Sequence, residues 1–207
     1  MPNDRIVKKA YDVAVEEDQD WAVHVQDMLS RHGFRNIWLN PNVDAKYFGN
    51  LFKERMKDTF LSDWRQKINS NNKLKVYSKI KTQFSIENYL LSIQNKNFVT
   101  NITKLRISAH CLEIEKGRHR NISADQRRCP SCQDSIEDEY HFLITCPTYN
   151  AERQVLMQSI TCKSNITLPY TDSDTFNVLM SCPDSISIHL GQYIYHAMQK
   201  RNCTIPE

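Results

Sequence analysis

Apolar residues return every three or four positions through most of the chain, the spacing of amphipathic helices. The pattern predicts a first helix over 4–16, with Ile6, Val7, Ala10, Tyr11 and Ala14 on one side. A second spans 18–32, with Asp18 or Asp20 as its cap and Trp21, Val25, Met28, Leu29 and His32 at helical spacing. Gly33 stands where a left-handed residue ends such a helix. Phe34 to Trp38 reads as a short extended connector. The longest element covers 43–69, where Tyr47, Phe48, Leu51, Phe52, Met56, Phe60, Trp64 and Ile68 form an aromatic-rich stripe. A stripe of this kind predicts burial, so Trp21, Phe48, Phe52, Phe60 and Trp64 are expected in a core.

Beyond Ser70-Asn71-Asn72 the period changes. Lys73 to Lys81 alternates lysines with apolar residues, which fits either an extended segment with a cationic face or a turn of helix. Helical spacing resumes after Ser85 through Ile93, over 97–109, over 149–161, after Asp172 or Ser173 and over 185–200. Residues 109–120 read as a link. The expected fold is mainly α, a helical domain with a small inserted module. Its segments are N-terminal helices (1–36), a basic helical region (37–120), the module (121–150) and C-terminal helices (151–207).

Composition narrows this further. Four glycines in 207 residues leave no glycine-rich phosphate loop. No apolar run reaches the length of a membrane span, and the N-terminus carries no apolar signal segment. The formal charge of +3 hides an uneven distribution. Lys46 to Arg120 holds sixteen basic against six acidic residues, while the rest of the chain has an acidic excess of seven. A basic middle points to a polyanion partner.

The chemistry is concentrated in Cys129, Cys132, His141 and Cys146, a C-x2-C-x8-H-x4-C spacing. Three thiolates and an imidazole are the donor set of a closed structural zinc site. A redox C-x-x-C pair is the competing reading, but it needs neither His141 nor Cys146. Ser135 and Asp138 have capping-box-like spacing, and Glu137 to Glu139 load a first helical turn with negative charge, so a helix is predicted over 136–145. Five residues is not a same-face spacing on that helix, which puts Cys146 where it unwinds, before Pro147. Zinc thiolates favour a reducing compartment, so the four Asn-x-Ser/Thr sequons and the remaining cysteines are read as incidental, and the expected location is nucleus or cytoplasm.

These ligands sit in a longer order of motifs. It runs through Leu74-x2-Tyr77-x3-Lys81, Glu87-x-Tyr89-Leu90, Lys104-Leu105-Arg106-Ile107-Ser108-Ala109-His110 and Leu112-x-Ile114-Glu115-x-Gly117-Arg118. It ends with the zinc ligands and Tyr149-x3-Arg153. The order resembles the zinc-binding segment that follows the reverse transcriptase domain in LINE-type (non-LTR) retrotransposon polyproteins, over about residues 34–160. The chain has no Asp-Asp dipeptide for the paired magnesium ions of a reverse transcriptase, and it is too short for palm and fingers. The resemblance therefore implies only an accessory, non-catalytic region that helps bind RNA or DNA.

Lys79, Lys81, Lys104, Arg106, Arg118, Arg120, Arg127 and Arg128 are the candidate phosphate contacts, the last four clustered before the first ligand. A zinc-stabilised scaffold for a protein partner is the alternative. An enzyme is disfavoured. Four protein ligands leave no open metal position, and His110 and Glu113 do not have deaminase spacing.

Overall fold

The computed structural model describes residues 6–39, 43–163, 169 and 171–204. No strand forms among them, and their β structure is an isolated antiparallel bridge between Arg128 and Ile136. The mainly α expectation holds. The chain divides into two compact units, Met1–Lys67 and Ile68–Glu207.

The first unit contains α1 (Ile6–Glu16), α2 (Asp20–Arg31), α3 (Arg35–Leu39) and most of α4 (Ala45–Ser70). The stretch expected to be an extended connector is thus the short helix α3. The end of α2 follows from its sequence. Gly33 adopts φ +82°, Phe34 N–H donates to Leu29 O (2.7 Å) and Gly33 N–H to Ser30 O (3.1 Å). This is a Schellman closure, with Leu29 and Phe34 both buried across it.

The helical period of α4 is as predicted, but the burial of its stripe is not. Phe48 and Phe52 cluster with Phe34, with ring centroids 5.4–5.7 Å apart, yet both remain half-buried. Trp64 is half-buried, Phe60 is 51% exposed and Trp21 on α2 is 49% exposed. The reason is length. At 1.5 Å per residue, the 26 residues of α4 extend about 39 Å, more than twice the reach of the 11- and 12-residue helices of its unit.

The second unit holds a continuous core. Lys73 to Lys81 takes the helical alternative, a 3-10 turn followed by α5 (Lys75–Ile80). Next come α6 (Tyr89–Ser92), α7 (Lys96–Arg106) and α8 (Glu113–His119), the last within the presumed link. After the metal module come α9 (Asn150–Lys163), α10 (Asp172–Ser181) and α11 (Asp184–Thr204). α11 packs on both α7 and α9. Ile102 and Leu105 of α7, Leu156 and Ile160 of α9, and Ile186, Leu190 and Ile194 of α11 are buried. Each such side chain contributes about 1.5–3 kcal/mol of burial. Phe142, Leu143, Cys129 and Cys146 belong to the same core, so the module is built into the helical unit.

Candidate metal centre

The first two ligands sit on a tight hairpin. The bridge between Arg128 and Ile136 brings its arms together. Cys129 N–H donates to Ser135 O (2.8 Å), and Glu137 N–H to Arg127 O (2.9 Å). Gln133 N–H closes the turn on Cys129 O (2.8 Å), with Gln133 at φ +61°. Cys129 and Cys132 therefore lie on either side of one bend.

The second two ligands come from a helical segment that starts later than its sequence suggests. Ile136 is used by the bridge, and the cap is Asp138, whose Oδ1 accepts from His141 N–H (2.7 Å). Burial outweighs that bond and raises the Asp138 carboxyl above its ordinary value. After Glu139 and Tyr140 the chain widens into a π turn, His141–Thr145, closed by Cys146 N–H to His141 O (2.8 Å). In an α-helix, five residues overshoot one turn by about 140°. The i→i+5 turn absorbs the surplus residue, and Cys146 follows it with extended backbone (ψ 120°).

The four donor atoms lie within 4.8 Å of one another, close enough to hold a metal ion. Sγ of Cys129 is 3.9 Å from Sγ of Cys146, and Sγ of Cys132 is 3.3 Å from Nε2 of His141. Metal–sulfur bonds of ~2.3 Å at tetrahedral angles place sulfurs about 3.8 Å apart, so the arrangement fits a four-coordinate thiolate-rich site. Cys129, Cys146 and His141 are buried and Cys132 is half-buried. His141 Nδ1 lies 3.0 Å from Thr145 Oγ1, which accepts its hydrogen when Nε2 faces a cation.

The hydrogen bond with Cys146, together with burial, pushes the Cys129 thiol up to about 11. The same bond, working against burial, holds Cys146 down at about 7. A divalent cation held by these cysteines would take the place of the proton that the pair shares.

The acidic run beside the ligands does more than load a helix start. Glu137 is fully buried and takes two hydrogen bonds from Arg201 of α11, Nε to Oε1 and Nη2 to Oε2, each 2.6 Å. Its Oε2 also accepts from Glu113 N–H (2.7 Å), and its Oε1 lies 3.9 Å from Sγ of Cys129. Burial works against the Arg201 charge, but Glu137 outweighs it and raises the guanidinium above its ordinary value. Glu139 accepts from Ser108 Oγ (2.7 Å) and lies 3.0 Å from Nε2 of His110. His110 Nδ1 accepts from Leu112 N–H, so the Nε2 hydrogen points at Glu139. Burial alone would raise the Glu139 carboxyl; His110 and Ser108 together hold it below the usual range. Arg153 donates to Leu143 O and Cys146 O (2.8 Å each), and Tyr193 OH to Phe142 O (2.8 Å), satisfying carbonyls that the π turn leaves over.

The candidate phosphate contacts separate into two groups. Lys79, Lys104, Arg118, Arg120 and Arg128 are exposed. Arg118 pairs with Glu115 (2.8 Å), Arg120 with Glu113, and Arg128 donates to Asp134 O (3.1 Å). Of the other three, Arg106 is buried and Lys81 and Arg127 are half-buried, each with its donors turned to partners within the fold. Arg106 is 2% exposed, sits over the rings of Tyr77 and Tyr89, and shares Glu87 with Lys81 at 2.5 and 2.6 Å. Arg127 donates to Ile122 O through Nε and Nη2 and to Ile114 O through Nη1. Its stem crosses Gly117, where an added Cβ would lie 2.6 Å from Arg127 Cγ.

The four donors are thus legible in the sequence, whereas the polar partners around them are not. Thr145 carried a signal, a hydroxyl one turn after a ligand histidine. Arg201 carried none, standing 64 residues from its partner. Among the described residues no cysteine is in a disulfide, and no helix is long and apolar enough to cross a membrane. Comparison with protein-family models, curated proteins and solved structures finds no match for the chain.

Proposed function

We propose that the chain is a zinc-binding, non-catalytic module that binds RNA or DNA in the nucleus or cytoplasm, of the kind that accompanies LINE-type reverse transcriptases. Zinc is the reading of the donor set: three sulfurs and one nitrogen within 4.8 Å of one another in a largely buried site suit it better than an oxygen-seeking cation. With four protein donors the zinc is structural, its work being to hold the hairpin to the π turn and the residue that follows it.

The observation that carries the nucleic-acid part is the sorting of charge. Glu87, Glu137 and Glu139 spend themselves on internal partners, while Lys79, Lys104, Arg118, Arg120 and Arg128 remain at the surface. Ion pairs at the surface, such as Arg120–Glu113, are worth little and exchange readily for phosphate. The order of motifs shared with retrotransposon segments supports the same partner. A protein-interaction scaffold is the second reading, favoured by the exposed Ile86, Leu90 and Leu91.

Metal content of the purified chain, measured together with RNA and DNA binding across a salt series, tests the proposal. One zinc per chain and an affinity falling steeply with salt are expected. A metal-free folded protein removes the zinc assignment; salt-independent or absent binding removes the nucleic-acid assignment in favour of the scaffold.

A further inference from the structure

Glu137 and Arg201 are buried to 0% and 1% exposure, and the carboxylate lies against a metal ligand, with Oε1 3.9 Å from Sγ of Cys129. When Cys129 is a thiol, that contact is a weak hydrogen bond. When Cys129 is a thiolate on a dication, two negative groups face each other. Three thiolates and a histidine around a dication carry a net charge of about −1. Glu137 would add a second negative charge in a water-poor site, where repulsion is strong. Arg201 cancels it, and its two parallel 2.6 Å bonds fix the plane of the carboxylate. The Glu113 carboxylate, 3.7 Å from Arg201 Nη2, draws on the same guanidinium.

We infer that Arg201 is a positioning residue for the metal, acting through Glu137 on Cys129, so that metal affinity depends on the docking of α11. Two further contacts hold that helix to the module, Tyr193 OH to Phe142 O and Lys200 Nζ to Thr148 O, both 2.8 Å. The ligands lie between residues 129 and 146, and the site is completed by a side chain 55 residues after the last of them. The inference rests on the zinc reading above.

The test is a double-mutant cycle in zinc affinity on the full chain, measured by competition with a chromophoric chelator. Arg201→Met is expected to weaken zinc binding about 10–100-fold, the usual effect of removing an outer partner of a ligand. Arg201→Lys, which keeps the charge, should recover most of that loss. In a Glu137→Gln background the same Arg201→Met change should cost less than about threefold, because the charge it cancels has gone. Urea unfolding of the zinc-free variants is measured alongside; where all of them stay folded, a purely structural arginine would leave zinc affinity unchanged. Equal losses in the two backgrounds, or zinc affinity of Arg201→Met within about twofold of wild type, overturn the inference. Should Arg201→Met fail to fold, the cycle is run with Arg201→Gln, which keeps a donor to the carboxylate. A wild-type chain that takes up no zinc overturns the metal reading itself, whereas a zinc-loaded wild type with an indifferent Arg201 overturns only the role of α11.

Discussion

Thr145 Oγ1 lies 3.0 Å from Nδ1 of His141, one turn further along the same segment, and this contact turns the other ring nitrogen towards Sγ of Cys132. Removing the hydroxyl frees the ring to choose its tautomer. Thr145→Val is therefore expected to weaken metal binding about 10–100-fold, while Thr145→Ser largely preserves it. Chelator competition on the two variants checks this. Equal affinities would assign the threonine to packing alone.

Gly117 and Arg127 make a second pair with a sharp consequence. Any side chain at 117 meets Arg127 Cγ and Cδ, and Arg127 cannot easily yield because three hydrogen bonds hold its guanidinium. Gly117→Ala should destabilise the second unit by about 1–3 kcal/mol, as overpacking does. Urea unfolding at fixed zinc concentration reads this directly.

The arginines before the first ligand should part company under mutation. Arg127→Ala is expected to cost about 1.5–3 kcal/mol of stability through its lost carbonyl contacts. Arg128→Ala combined with Lys104→Ala touches only exposed side chains, so stability should stay within about 0.5 kcal/mol. On the proposed function that double variant should bind RNA more weakly, with a salt slope flatter by about one to two units. Unchanged binding would remove both residues from the contact surface.

Glu87 gives the protein an acid-sensitive joint. Burial pushes its carboxyl up, but Lys81 and Arg106 outweigh burial and hold it below its ordinary value of 4.5. A depressed carboxylate contributes stability that is full above its unfolded value and is lost as pH falls through the lower folded one. Glu87→Gln should therefore cost about 1–3 kcal/mol at pH 7, with the gap to wild type closing below about pH 4.5. Parallel melts of the two proteins from pH 7 to pH 3 measure that gap, and the metal cancels in the comparison. A gap that stays constant with pH would mean Glu87 acts by shape rather than charge.

What was legible in the sequence was local. The helical period of α4 and the cap at Gly33 follow from neighbours a turn away, and both stand where the sequence puts them. The ligand spacing is likewise local, and it brought four donors together. Burial is a property of partners, which is why the aromatic stripe of α4 proved half exposed. The surroundings of the metal centre were hidden for the same reason. Ser108 and His110 meet Glu139 from 31 and 29 residues away, and Arg201 meets Glu137 from 64. α8 escaped because its seven residues include Gly117 and are too few to show a period.

The π turn bears on how fast the centre would exchange an ion. His141, Phe142, Leu143 and Ile144 are buried one after another, and within the turn only Thr145 is exposed. Cys129 and Cys146 are sealed by the same core, and only Cys132, at the hairpin bend, is half open to solvent. A chelator approaching a bound ion would do so past Cys132, while the other three donors stay covered until the helical unit itself opens. Release of such an ion would then follow the protein's own opening more than the concentration of chelator.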